Sequence, residues 1–102
     1  MKSFKGLNGT IKLTDSGVEI IRDNMLGTTF HGEGTIEIPY DNISEVAVVP
    51  GGVLNGYICI VEEGYGCPSS VFAAMKDENT VIFRITKNMR ASRIKKSIES
   101  KL

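Results

Sequence analysis

Apolar and polar side chains alternate along most of the chain, and each alternating run predicts a β-strand. Ile11 and Leu13 fall on one side of the run 8–13, and the run 18–22 repeats the pattern after the turn at 15–17. This arrangement predicts a β-hairpin. Five further apolar-rich runs predict strands at residues 35–38, 43–49, 55–62, 70–75 and 80–85.

The periodicity changes from two to 3.6 near Asn88, which predicts a helix at the end of the chain. Ala91, Ile94, Ile98 and Leu102 recur at helical spacing and form one apolar stripe. We expect Ile94 and Ile98 to be buried against the sheet. The predicted fold is mainly β (α+β), a barrel-like arrangement of about seven antiparallel strands capped by one C-terminal helix, in a single domain over 1–102.

Two segments carry more apolar side chains than can be buried on the inner face of one sheet. The strand 55–62 is apolar on both faces, as in strands that are covered on both sides. The segment 23–33 resembles a loop but also carries large apolar residues. A second subunit or partner could cover these side chains, or the loop could fold over the strand within one chain. The candidate interaction surface comprises Ile58, Ile60, Met25, Leu26 and Phe30.

Composition places the chain among ordinary globular domains. The 102 residues are 41% hydrophobic and 24% charged, which is enough for one core without metal or disulfide support. The N-terminus lacks the apolar stretch of a secretory signal, and no apolar run approaches the length of a membrane span. Cys59 and Cys67 do not have metal-ligand spacing. We therefore expect free thiols in a reducing, cytoplasmic compartment.

Charge is distributed unevenly although the net charge is zero. From Arg84 onward seven basic residues stand against the single acid Glu99, so the tail is basic and the remainder is acidic. The basic helix could contact an anionic partner, or it could be a solvated face that complements the acidic body. The candidate anionic-partner residues are Arg90, Arg93, Lys95 and Lys96.

Groups that could support catalysis are sparse. His31 is the only histidine and lies in no motif, so we expect a loop histidine and not a general base. The glycines match no phosphate-binding or dinucleotide-binding pattern. We expect no catalytic residues, no metal and no cofactor. Nucleic acid is not an expected partner, because no aromatic residues interleave with the basic ones and the isoelectric point is near 6.6.

Several short segments, in their order and spacing, carry a resemblance to a known family. They are Gly9, the stretch 30–36, Ile38-Pro39 leading to Ile43, the stretch 54–58 and the stretch 77–83. Together they resemble the bacterial pleckstrin-homology-like domains that are often fused to a helical SHOCT domain. The resemblance covers nearly the whole chain and implies a bacterial, phage or mobile-element protein that is cytoplasmic or membrane-proximal. It implies no catalytic residues.

Eukaryotic relatives of that superfold often bind inositol phosphates through basic residues at the first hairpin loop. Here that loop contains Asp15 and is flanked only by Lys12 and Arg22, so we expect no tight inositol phosphate binding. The sequence therefore supports a non-catalytic module for protein interaction or self-association into a homo-oligomer. The alternative is a membrane-surface adaptor that contacts anionic lipid through its basic helix.

Overall fold

Two antiparallel sheets and three α-helices make up residues 2–102, which are the residues that the computed structural model describes. The strands are β1 (Ser3–Lys5), β2 (Thr10–Leu13), β3 (Gly17–Arg22), β4 (Gly34–Pro39), β5 (Ile43–Val49), β6 (Gly56–Glu62) and β7 (Thr80–Phe83). The helices are α1 (Met25–His31), α2 (Val71–Lys76) and α3 (Asn88–Glu99), with 3-10 turns at Tyr40–Asn42 and Ile85–Lys87.

The strands form a 4-stranded sheet in the order β1-β2-β3-β4 and a 3-stranded sheet in the order β5-β6-β7. Every pairing is antiparallel. The prediction of seven antiparallel strands followed by a helix from Asn88 is therefore confirmed in number and direction. The ladders form two separate sheets, however, and not the one continuous barrel that was expected.

The predicted strand at 70–75 is wrong, because this segment forms helix α2. Ser70 caps the helix by accepting a hydrogen bond from the Ala73 N–H at 3.1 Å. Alanine and methionine are good helix formers, and the six-residue segment is too short for periodicity to separate helix from strand. The seventh strand is instead β1, which the prediction missed because Phe4 is its only large apolar residue.

The predicted loop at 23–33 contains helix α1. The Asn24 side chain caps it by accepting a hydrogen bond from the Gly27 N–H at 2.8 Å. The same side chain donates to the Leu7 carbonyl at 2.9 Å, which ties the helix to the β1–β2 hairpin. Gly27 allows this approach, because a Cβ there would lie 2.4 Å from the Asn8 carbonyl oxygen.

The main core lies between the two sheets and is closed at one end by α3. Phe4 and Phe83 meet edge to face inside it, with ring centroids 5.5 Å apart. Ile94 and Ile98 of α3 are buried in this core, as predicted. Ile58 and Ile60 of β6 are fully buried in it as well.

A second, smaller core covers the outer face of the three-stranded sheet. Tyr57 and Ile82 pack there against Ala74 of α2. Half-buried apolar side chains from both short helices and the first hairpin complete the layer; they are Leu7, Leu26, Val71 and Met75. The strand with two apolar faces is thus covered on its outer side by α1 and α2 of the same chain.

Candidate docking surface

The apolar residues proposed from the sequence as an interaction surface do not form one. Ile58 and Ile60 point into the main core and are fully buried, so that assignment is wrong. Leu26 packs on the outer face of the sheet. Met25 is largely exposed, at 87%, and Phe30 is partly exposed, at 43%. The structure therefore supports the alternative, in which residues of the segment 23–33 cover the strand within one chain.

The four basic residues proposed on α3 fall on different sides of the helix. Arg90 and Arg93 line a groove of about 330 Å³ together with Lys2 of the N-terminal segment. Lys95 lies about 140° around the helix from Arg90, since each residue turns the chain by about 100°. It is half-buried on the other flank, and Lys96 is exposed. Arg90 and Arg93 are the pair that the structure brings together.

An exposed apolar surface lies at one end of the molecule, where the β5–β6 loop meets the start of α3. Leu54 is 71% exposed and Met89 is 69% exposed, while Val53 is fully exposed. We call this surface the apolar tip; it comprises Val49, Val53, Leu54, Ile85 and Met89.

Hydrogen bonds between Gly51 and Asn88 hold the apolar tip together. The Gly51 N–H donates to Asn88 Oδ1 at 2.7 Å, and Asn88 Nδ2 donates back to the Gly51 carbonyl at 3.0 Å. Gly51 also packs so closely on Ile85 that a Cβ would lie 2.9 Å from the Ile85 Cα. The loop carrying Val53 and Leu54 is thereby fixed beside the first turn of α3.

Basic residues border the apolar tip and continue along α3. A groove of about 190 Å³ is lined by Lys5, Arg84 and Lys87, and Lys87 Nζ donates to the Lys5 carbonyl at 3.2 Å. Neither this groove nor the neighbouring one beside Arg90 is lined by Asp or Glu. We call this border the basic rim; it comprises Lys2, Lys5, Arg84, Lys87, Arg90 and Arg93.

Acidic residues gather at the opposite end of the three-stranded sheet. Glu62 ends β6, and a cleft of about 390 Å³ there is also lined by Asp77 and Glu78, with Lys76 as its one basic residue. Since β6 starts beside the apolar tip and a strand rises about 3.3 Å per residue, the two ends of β6 lie about 20 Å apart. The molecule is therefore basic and apolar at one end and acidic at the other.

The titratable groups away from the tip have structural partners. Arg22 is buried and donates to the backbone carbonyls of Asn8 and Thr80, each at 2.8 Å. Burial lowers the pKa of Arg22 to about 10, against the opposing effect of Asp77. Burial, and then the nearby Arg22 charge, lower the pKa of His31, whose Nε2 lies 2.9 Å from the Met75 carbonyl.

Metal and membrane-spanning features are not found in the part of the chain that the structure describes. Residues 2–102 contain no group of three or more His, Cys, Asp or Glu side chains placed to hold a metal ion. No helix among these residues has the length and apolarity to cross a bilayer. Comparisons with protein families, with curated proteins and with solved structures find no match for the chain.

Proposed function

We propose that the protein is a non-catalytic binding module that docks on an anionic membrane surface through its apolar tip and basic rim. The observation that carries this proposal is the joint placement of exposed Val53, Leu54 and Met89 with basic residues at one end of the fold. Apolar side chains that enter the headgroup region, bordered by cations, are the usual means of interfacial binding.

The magnitudes favour reversible docking. Full burial of a valine, leucine or methionine side chain contributes about 1.5–3 kcal/mol, and partial insertion contributes less. Each lysine or arginine near an anionic surface contributes about 1 kcal/mol. Val53 and Leu54 together with the basic rim can therefore exceed the cost of ordering a small module at a membrane, without a covalent anchor.

Charge placement favours a membrane over a protein partner. The basic rim begins beside the apolar tip at Lys87, and the acidic end with Glu62 and Asp77 lies at the other end of β6. An anionic plane would attract the first end and repel the second, which orients the module. Self-association loses its original support, because the outer face of β6 is covered within the chain.

The pleckstrin-homology-like resemblance is consistent with this role and remains part of the proposal. A four-stranded sheet, a three-stranded sheet and a C-terminal helix support that interpretation. The surface proposed here is not the first hairpin loop, where Asp15 replaces a basic cluster. The module would then recognise negative surface charge and not one particular headgroup.

Vesicle co-sedimentation tests the proposal. Binding is measured with phosphatidylcholine vesicles alone and with added phosphatidylserine, at low and high salt. We expect salt-sensitive binding only to the anionic vesicles. Replacing Val53 and Leu54 together with serine should lower the partition coefficient at least about ten-fold. Phe72→Ser is the matched control, since Phe72 is 66% exposed on α2, away from the tip.

The basic rim is tested separately. The double variant Arg90→Gln and Arg93→Gln should weaken binding and flatten its salt dependence, whereas Lys76→Gln, at an exposed position of α2 beside the acidic cleft, should change binding little. Absence of binding to anionic vesicles overturns the membrane proposal. If the wild type is then a dimer in light scattering and the Val53/Leu54 variant is a monomer, the apolar tip is a self-association surface instead.

A further inference from the structure

The two cysteines of the chain lie beside each other in the folded protein, although seven residues separate them in sequence. Cys59 lies in β6, opposite Thr80 of β7, and is buried. Cys67 is exposed in the segment 63–70, between β6 and α2. Gly66, next to Cys67 in sequence, lines the same cleft as Cys59. The Cys67 side chain is close enough to contribute to raising the pKa of Cys59.

The chain after β6 folds back over the strand and brings Cys67 to this position. A turn begins where the Tyr65 N–H donates to the Glu62 carbonyl at 3.0 Å. The Tyr57 hydroxyl then donates to the Pro68 carbonyl at 3.0 Å, which fixes the residue next to Cys67 over the strand. The segment thus runs back over β6, and Cys67 lies between Gly66, which shares a cleft with Cys59, and Pro68, which is bonded to Tyr57.

We propose that Cys59 and Cys67 form a reversible intramolecular disulfide and are a site of oxidative modification. The oxidant is a small disulfide such as oxidised glutathione. The Cys67 thiolate attacks one of its sulfurs and releases one glutathione thiolate, which leaves a mixed disulfide on Cys67. The Cys59 sulfur then attacks the Cys67 sulfur and breaks the mixed disulfide, and the Cys59 proton passes to the departing glutathione thiolate. Two protein thiols are oxidised, and one oxidised glutathione is reduced to two glutathione molecules.

The environments of the two thiols set this order. Burial is the main cause that raises the pKa of Cys59 to about 12, so its thiol stays protonated at neutral pH and is shielded from solvent. Cys67 is the accessible thiol. The exposed residue therefore receives the oxidant, and the buried neighbour resolves the mixed disulfide.

The test is incubation of the full chain with oxidised glutathione, followed by intact-mass and thiol analysis. We expect both free thiols to disappear, the protein to lose two hydrogens without a glutathione adduct, and dithiothreitol to reverse both changes. A glutamate-specific protease cuts after Glu62 and Glu63, between the two cysteines. The fragments containing Cys59 and Cys67 should stay joined in the oxidised protein and separate on reduction.

Single variants identify the role of each thiol. Cys59→Ser should stop at one glutathione on Cys67, and Cys67→Ser should remain unmodified while folded. The proposal is overturned if the wild type accumulates the glutathione adduct, or if it forms a disulfide between two chains that is visible as a dimer without reductant. Failure of the wild type to react also overturns it.

Discussion

The side-chain carbonyl of Asn8 accepts a hydrogen bond from the backbone N–H of Ile82 at 2.9 Å, in the manner of a neighbouring strand. The Leu7 N–H donates to the Ile82 carbonyl at 2.8 Å. The turn of the β1–β2 hairpin is thus bonded to the outer edge of β7. These two bonds join the four-stranded sheet to the three-stranded sheet.

Replacing Asn8 with alanine should destabilise the fold by about 1–3 kcal/mol, since the buried Ile82 N–H loses its acceptor. The buried Asn8 Nδ2 has no hydrogen-bond partner among the described residues. Alanine removes this donor too, so we expect a loss in the lower part of that range. Urea unfolding measures the change, with exposed Asn42→Ala as the control. Equal stability of the two variants would show that the Asn8–Ile82 bond contributes nothing.

Replacing Arg22 with methionine should cost at least about 2 kcal/mol, because hydrogen bonds to charged groups contribute about 1.5–3 kcal/mol each and do not add fully. The guanidinium donates to the backbone carbonyls of Asn8 and Thr80. It also donates to the backbone carbonyl of Glu78 at 3.1 Å. Lysine at this position should recover part of the loss. Chemical denaturation provides the measurement, and Arg93→Met at an exposed site is the matched control. A methionine variant as stable as the wild type would contradict this role.

Ile98→Ala should lower the free energy of unfolding by about 2–5 kcal/mol, as is usual for a buried isoleucine. Ile98 is fully buried where α3 closes the core. Met89→Ala is the control on the same helix, and its exposed side chain should change stability by about 0.5 kcal/mol or less. Thermal and urea unfolding of both variants check the difference. If Ile98→Ala unfolds at the same temperature and urea concentration as the wild type, the packing of α3 on the core does not stabilise the fold.

His31 should titrate below its ordinary pKa of 6.5, because burial and the Arg22 charge oppose protonation. As pH falls through 6.5, the unfolded chain binds the proton first, so the free energy of unfolding should decrease toward lower pH. As the only histidine, it gives an unambiguous NMR titration. Glu78→Gln should lower the pKa further, because the Glu78 charge raises it. A titration at or above 6.5 would contradict the assigned environment.

The strands could be predicted where alternation extends over four or more residues, as in β2, β3 and β4. Short elements could not. Phe4 alone marks β1, and α2 depends on the Ser70 cap and on the sheet face that it covers. The pairing of β1 and the sheet face under α2 are set by contacts that are distant in sequence, which local patterns do not encode.

The candidate surface was harder to predict than the fold. Periodicity shows that β6 is apolar on both faces, but not that Ile58 points into the main core while Tyr57 points outward under α2. The loop that carries Val53 is held beside the first turn of α3 by the hydrogen bonds between Gly51 and Asn88, which span 37 residues. The basic character of α3 was evident from sequence; its division between two flanks needed the helix to be docked.

The outer edge of β4 has a consequence for colloidal behaviour. Within residues 2–102, β4 pairs only with β3, and its residues from Gly34 to Glu37 are exposed. An unpaired edge is a template for aggregation. Glu37 already faces Glu19 across the β3–β4 ladder, and an incoming copy of β4 would bring a third carboxylate to the same row. Like charges opposed in this way destabilise strand pairing, and Pro39 ends the strand. This edge therefore discourages fibrillar growth, and we expect Glu37 to act as an aggregation gatekeeper.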